Sequence, residues 1–144
     1  MRAALLSLIG AGLLFGQATG ESGKDMPPLL TFVAPPYPQA ARTARIMGKT
    51  RTGITVNREG AVTEVKTIVA HPVFREQVLA ALKQWRFGPS DQDHALEITC
   101  LFELVEDEKC DGRQWETYVS AELPTVVHVK TSFCNEVQRS SNSR

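Results

Sequence analysis

The sequence predicts an α+β fold, a two-layer arrangement of one antiparallel sheet packed against two helices. Three observations carry that expectation: two stretches whose apolar residues recur with a period of two, a Gly-containing turn that folds the first of them back, and an apolar stripe at helical spacing between them. The two stretches are residues 50–56 and 96–104, the turn is Asn57-Arg58-Glu59-Gly60, and the stripe runs from Phe74 to Trp85.

In chain order, Tyr37-Pro38-Gln39-Ala40-Ala41-Arg42 opens the pattern, because proline suits the first turn of a helix and the alanines that follow continue it. Gly48 is expected to end that helix. Thr50, Thr52, Ile54 and Val56 then alternate with Arg51, Gly53 and Thr55, the signature of a half-buried first strand. In the turn, Asn57 can bond its own backbone and Gly60 can take positive φ, so residues 61–70 should return antiparallel. Val62, Val65 and Ile68 do not share one parity, which predicts a bulge or partial burial of both faces in this second strand. After His71-Pro72, the residues Phe74, Val78, Ala81, Leu82 and Trp85 fall at i, i+4, i+7, i+8 and i+11, one face of a helix over residues 73–85. Trp85-Arg86-Phe87-Gly88-Pro89 closes it. Leu96, Ile98, Cys100, Phe102 and Leu104 alternate with Glu97, Thr99, Leu101 and Glu103 in a third strand. The helix allows a right-handed crossover that lays the third strand antiparallel beside the first, giving the order two-one-three, with a C-terminal strand as a further member left open.

The motifs Tyr37-Pro38 followed by small residues, Gly48 before the first strand, Glu59-Gly60 in the turn, and Trp85-Arg86-Phe87-Gly88-Pro89 together make residues 35–104 resemble the C-terminal domain of TonB. That resemblance implies a domain without catalytic groups or cofactor, involved in TonB-dependent transport, which adds an extended receptor peptide to the exposed edge of the third strand. The partner-binding edge would then be Glu97, Thr99, Leu101 and Glu103, and the partner an outer-membrane receptor segment. Two features of TonB have no counterpart. A Ser-x-x-x-His pattern that couples TonB to its motor fails at Ser7 and Ala11, and the Gln-Pro segment ahead of Tyr-Pro is matched by Ala34-Pro35.

Outside the resemblance, Arg2, the apolar run from Ala3 to Phe15 and the small residues around Ala18 and Gly20 have the three regions of a signal peptide over residues 1–20. The apolar run is too short for the roughly 20 residues of a spanning helix, and no cysteine follows it for lipid attachment. Export to the periplasm or beyond is expected, with no permanent anchor; an uncut leader would instead hold the chain at the inner membrane. Residues 21–34 read as a short linker, 105–137 as an extension and 138–144 as a polar tail. Cys100 falls on the apolar side of the third strand, which leaves Cys110 and Cys134 as a disulfide bracketing the extension, with a bridge through Cys100 as the alternative. Residues 125–129 are β-prone and could lie on the third strand's edge themselves. The chain would then be a self-capped structural module of the same fold.

Sixteen basic and sixteen acidic residues give no net charge, and no basic stripe exists, which argues against nucleic acid and anionic membranes as partners. His71, His94 and His128 are spaced neither as metal ligands nor as partners of a nucleophile, so no metal site and no enzyme are expected. Trp85, Phe87 and Tyr37 read as core rather than as a binding platform. Hydrophobic residues at 42% fit one domain with a single core.

Overall fold

The computed structural model describes residues 26–106 and 117–134. Among them, strand β1 (Leu29–Thr31) precedes helix α1 (Gln39–Thr43), the hairpin β2 (Gly48–Val56) and β3 (Val62–Val69), helix α2 (Pro72–Leu82), the short β4 (Arg86–Phe87), and the strands β5 (His94–Glu106), β6 (Thr117–Glu122) and β7 (Val126–Phe133). The five long strands form one mixed sheet in the order β3-β2-β5-β7-β6, and β1 pairs with β4 separately. The fold is of the α+β class that the sequence predicts, and the first three predicted strands keep the order two-one-three within it, but the sheet is mixed rather than wholly antiparallel because β7 joins β5 parallel to it.

Pro38 sits at the N-cap of α1 with extended backbone. The helix ends not at Gly48 but three residues earlier, where Arg45 takes φ 52° and the Ile46 N–H donates to the Ala41 carbonyl at 2.8 Å. Gly48 has a packing role instead: a Cβ there would lie 2.8 Å from Cε2 of Phe74. In the β2–β3 turn, Asn57 Oδ1 accepts from the Ala61 N–H at 2.8 Å, and Gly60 has φ +86°. Any side chain at Gly60 would meet the Phe87 carbonyl oxygen at 1.9 Å, so two constraints require glycine there.

The irregular parity of β3 resolves into two register shifts. Val56 pairs with Val62 and Thr55 with Glu64, so Thr63 is extra; Thr52 pairs with Thr67 and Arg51 with Val69, so Ile68 is extra. The first bulge puts Val62 and Val65 on the same, inner face. Helix α2 starts with His71 as N-cap, whose Nδ1 accepts from the Val73 N–H at 3.3 Å, and with Pro72 at its first position.

All five residues of the predicted helical stripe are buried. Phe74, Val78, Leu82 and Trp85 pack with Tyr37, Ile54, Val56, Phe87, Ile98, Cys100 and Phe102 in one core that also takes in Val127 and Val129. Phe74 stacks on Phe102 at 4.1 Å, and Tyr37 sets its ring edge against both. The segment read as a linker contributes as well: β1 pairs with β4, Phe32 lies 5.3 Å from the Trp85 ring, and the Val33 carbonyl accepts the Trp85 indole N–H at 2.8 Å. The predicted leader, Cys110 and the polar tail lie outside the described residues.

Candidate functional site

The strand that the sequence assigns to partner binding is β5. Its inner residues Ile98, Cys100 and Phe102 are buried, and Glu97, Thr99, Leu101 and Glu103 alternate with them toward the side away from the core. On its β2 side, β5 is paired antiparallel from His94 opposite Val56 to Phe102 opposite Gly48. Its other side was expected to be open, and the structure corrects this from Thr99 onward. There β7 runs parallel to it, with Thr99 opposite Val126, Leu101 opposite His128, Glu103 opposite Lys130 and Glu106 opposite Phe133. The Thr99 N–H donates to the Thr125 carbonyl at 2.8 Å where the ladder begins. The segment 125–129 therefore lies where a partner strand would lie. The cause is core formation, since Val127 and Val129 are 0% exposed and complete the apolar layer beyond Phe102.

Glu97 stands just before that ladder. Arg51, opposite Thr99 on β2, holds its carboxylate through two hydrogen bonds, Nε to Oε1 at 2.6 Å and Nη2 to Oε2 at 3.0 Å. The hydrogen bond from Arg51 holds the Glu97 carboxyl below its usual range, with desolvation opposing it. Glu103 faces β7 instead, with Oε2 3.4 Å from His128 Nδ1 and 3.6 Å from Lys130 Nζ. Both carboxylates are half-exposed and lie in charge pairs on a solvated face.

The histidines are engaged separately. His71 caps α2, His128 faces Glu103, and His94 Nε2 lies 3.1 Å from Ser90 Oγ. The Ser90 hydroxyl proton is directed to the Gln92 carbonyl at 2.7 Å, so His94 is not placed as its base. The motif residues shape the scaffold. Tyr37 donates its hydroxyl to the Ile46 carbonyl at 2.6 Å, and burial pushes its phenol up to about 12. Trp85 and Phe87 are core, Gly60 receives the Phe87 N–H at 2.8 Å on its carbonyl, and Pro89 leads into the loop before β5. Cys100 is a buried free thiol raised to about 11 by desolvation. Cys134 directly follows β7, whereas its expected partner Cys110 lies outside the described residues.

With β5 covered, the sheet's outer strands among the described residues are β3 and β6. They differ. β3 is bulged at both ends and carries Glu64 and Lys66 toward solvent. β6 pairs with β7 without a register shift, exposes all six residues, and has Glu122 as its one charged side chain. Exposed apolar side chains stand on it and just after it: Tyr118, Val119 and Leu123. Sequence reasoning missed β6, although Thr117-Tyr118-Val119 is β-prone. A model of the Gram-negative bacterial TonB protein C-terminal family matches residues 33–104, half of the chain. No curated protein matches the chain.

Proposed function

The chain belongs to the TonB C-terminal family, whose members act in TonB-dependent transport at the Gram-negative envelope, and on that premise we propose that it is a periplasmic protein-binding domain that takes an extended segment of an outer-membrane receptor onto an edge of its sheet. The family is one of interaction domains rather than enzymes, and the proposed role needs no cofactor. Export through a cleaved leader and a Cys110–Cys134 bridge closing the extension are parts of the same proposal; the free, buried state of Cys100 supports the bridge.

The observation that carries the reading is the smooth edge of β6, which no strand among the described residues covers. An unbulged edge strand presents N–H and C=O groups that an added strand can pair. The edge at Glu97, Thr99, Leu101 and Glu103 would serve only if β7 left it. Returning Val127 and Val129 to water costs about 1.5–3 kcal/mol each, so an incoming peptide would have to replace both side chains as well as the ladder. The accepting edge has thus moved outward from β5 to β6.

A second reading is favoured by that same ladder: with β5 occupied by its own chain, the module is self-capped and structural, without receptor contact. Titration of the isotope-labelled, oxidised chain with TonB-box peptides, read by backbone amide shifts, separates the two. Shifts centred on β6 are the expected result. Shifts over residues 97–103 with loss of protection in β7 would relocate the site to β5, and no shifts anywhere would leave the self-capped module.

A further inference from the structure

The two outer strands of the sheet differ in their capacity to pair with themselves. β3 is bulged at both ends, and Glu64 and Lys66 stand exposed between the bulges, so its edge is broken and charged. β6 keeps one register with β7 along its whole length and exposes every residue. The pairing with β7 sorts its side chains by face. Thr117, Val119 and Ala121 stand opposite Thr131, Val129 and Val127, which are all 0% exposed, and so lie on the core side of the sheet. Tyr118, Ser120 and Glu122 stand opposite Lys130, His128 and Val126 on the other side. Val119 is nonetheless 41% exposed, so the core layer runs out to the rim of the sheet and ends there half-covered.

We propose that two copies of this chain pair β6 with β6, antiparallel about a two-fold axis at Ser120, and so join their two five-stranded sheets into one. Facing residues of an antiparallel pair share a side of the sheet, so the residue at the axis must pair with its own copy. Charge and strand length then choose that residue. With the axis at Val119, Glu122 falls opposite Glu116 of the other copy, a pair of like charges. With the axis at Ala121, only residues 120–122 pair within the strand. With the axis at Ser120, residues 118–122 all pair, Val119 lies beside Ala121 on the core side, and Tyr118 rather than a second carboxylate faces Glu122. The two Glu122 residues are then about 14 Å apart along the strands, beyond a screening length of about 8 Å.

A second copy also brings a strand that β7 already holds in place, so this pairing orders no loose chain, as a free peptide would require. Assembly stops at two: the contact is made by the same patch on both copies, and bulged β3 offers no smooth edge by which further copies could add to β6. A single strand pair of this length stays below the roughly 1,200 Å² at which standard stable interfaces begin, so the dimer is weak and reversible. The dimer uses the edge that the receptor reading uses but does not rest on that reading.

The test is sedimentation equilibrium of the oxidised full chain at concentrations up to about 1 mM, with amide hydrogen exchange followed in parallel. The expected result is a reversible monomer–dimer equilibrium in which the β6 amides gain protection as concentration rises. Ser120→Glu and Ser120→Lys each set like charges face to face at the axis and should weaken the dimer about fivefold at low salt, whereas an equal mixture of the two should form a mixed dimer about tenfold tighter than either alone. Ser120 is exposed on the side away from the core, and circular dichroism checks that both variants fold. A monomer at every concentration, a dimer indifferent to both substitutions, or species growing past two would each overturn the proposal, the first and last without recourse to any variant. Peptide titration on dilute, monomeric chain keeps the receptor reading separate: a chain that never dimerises still leaves β6 open to a peptide, and a peptide that shifts nothing leaves the dimer standing.

Discussion

β2 and β7 flank the same strand, and they arrive there by different routes. β2 joins β5 antiparallel through nine residue pairs from within the family-matched segment, while β7 joins it parallel through eight pairs from outside that segment. Yet both bury their inward residues completely or nearly so: Thr50, Thr52, Ile54 and Val56 on one side, Val127, Val129 and Thr131 on the other. The difference in origin does not appear as a difference in integration. β7 is an integral strand of the sheet, and the family domain in this chain is completed by residues beyond it.

The strongest way to break that equivalence is to remove one side. A chain ending at Glu106 would expose the inner layer next to Ile98, Cys100 and Phe102 and leave β5 as a long apolar edge; it should lose its cooperative thermal transition and aggregate, as followed by circular dichroism and light scattering. A folded, soluble truncation would show β7 to be dispensable. On the other side, Gly60→Ala drives a methyl into the Phe87 carbonyl at a position with positive φ, and should cost several kcal/mol, about 3 or more, in urea unfolding. Val129→Ala tests the extension more gently. A cost of about 2–3 kcal/mol is expected if β7 is true core, against under about 1 kcal/mol for a loosely laid cap.

Alkaline pH should weaken both halves where they meet. Burial raises the Cys100 thiol from 9.0 to about 11 and the Tyr37 phenol from 10.0 to about 12. Both are acids held neutral in the folded chain, so the unfolded chain ionises first. Their contribution is full below pH 9 and is lost progressively between about pH 9 and 12. Melting temperatures should therefore be flat near neutrality and fall through that window, and Cys100→Ser should remove the earlier part of the fall. The smallest effect is expected from Arg51→Met: its pair with Glu97 is solvent-exposed, so the midpoint of unfolding should not move measurably.

What the sequence made legible follows from strength of period and punctuation. The alternation in residues 50–56 and 96–104, the Asn57 to Gly60 turn and the stripe of α2 each rest on local chemistry, and each stands in the structure as read. Misreadings came where tertiary contacts decide. Gly48 looked like a helix end but makes room for Phe74, and the segment holding Leu29 and Phe32 looked like a linker because three strand residues carry too little pattern to announce β1. The candidate edge was legible only as two alternatives: residues 125–129 showed β propensity, but nothing local says that they insert between β5 and β6. Parallel pairing is a long-range choice, fixed by where Val127 and Val129 can be buried. The cleft between the N-terminal segment and α2 was invisible, since it depends on Val33 to Pro36 lying across α2.

The attachment of the N-terminal segment has a mechanical meaning. Any tension entering the domain from that side reaches β1 first, which is held by a short two-stranded pairing to β4 and by the Gly88 N–H on the Pro28 carbonyl at 2.7 Å. These bonds peel one after another rather than sharing the load. Behind them stands the Trp85 indole clamped on the Val33 carbonyl, with its ring inside the core. A modest pull would thus lengthen the tether by unzipping β1 while the five-stranded sheet stays intact, and the tryptophan is the point at which further extension must begin to unfold the domain.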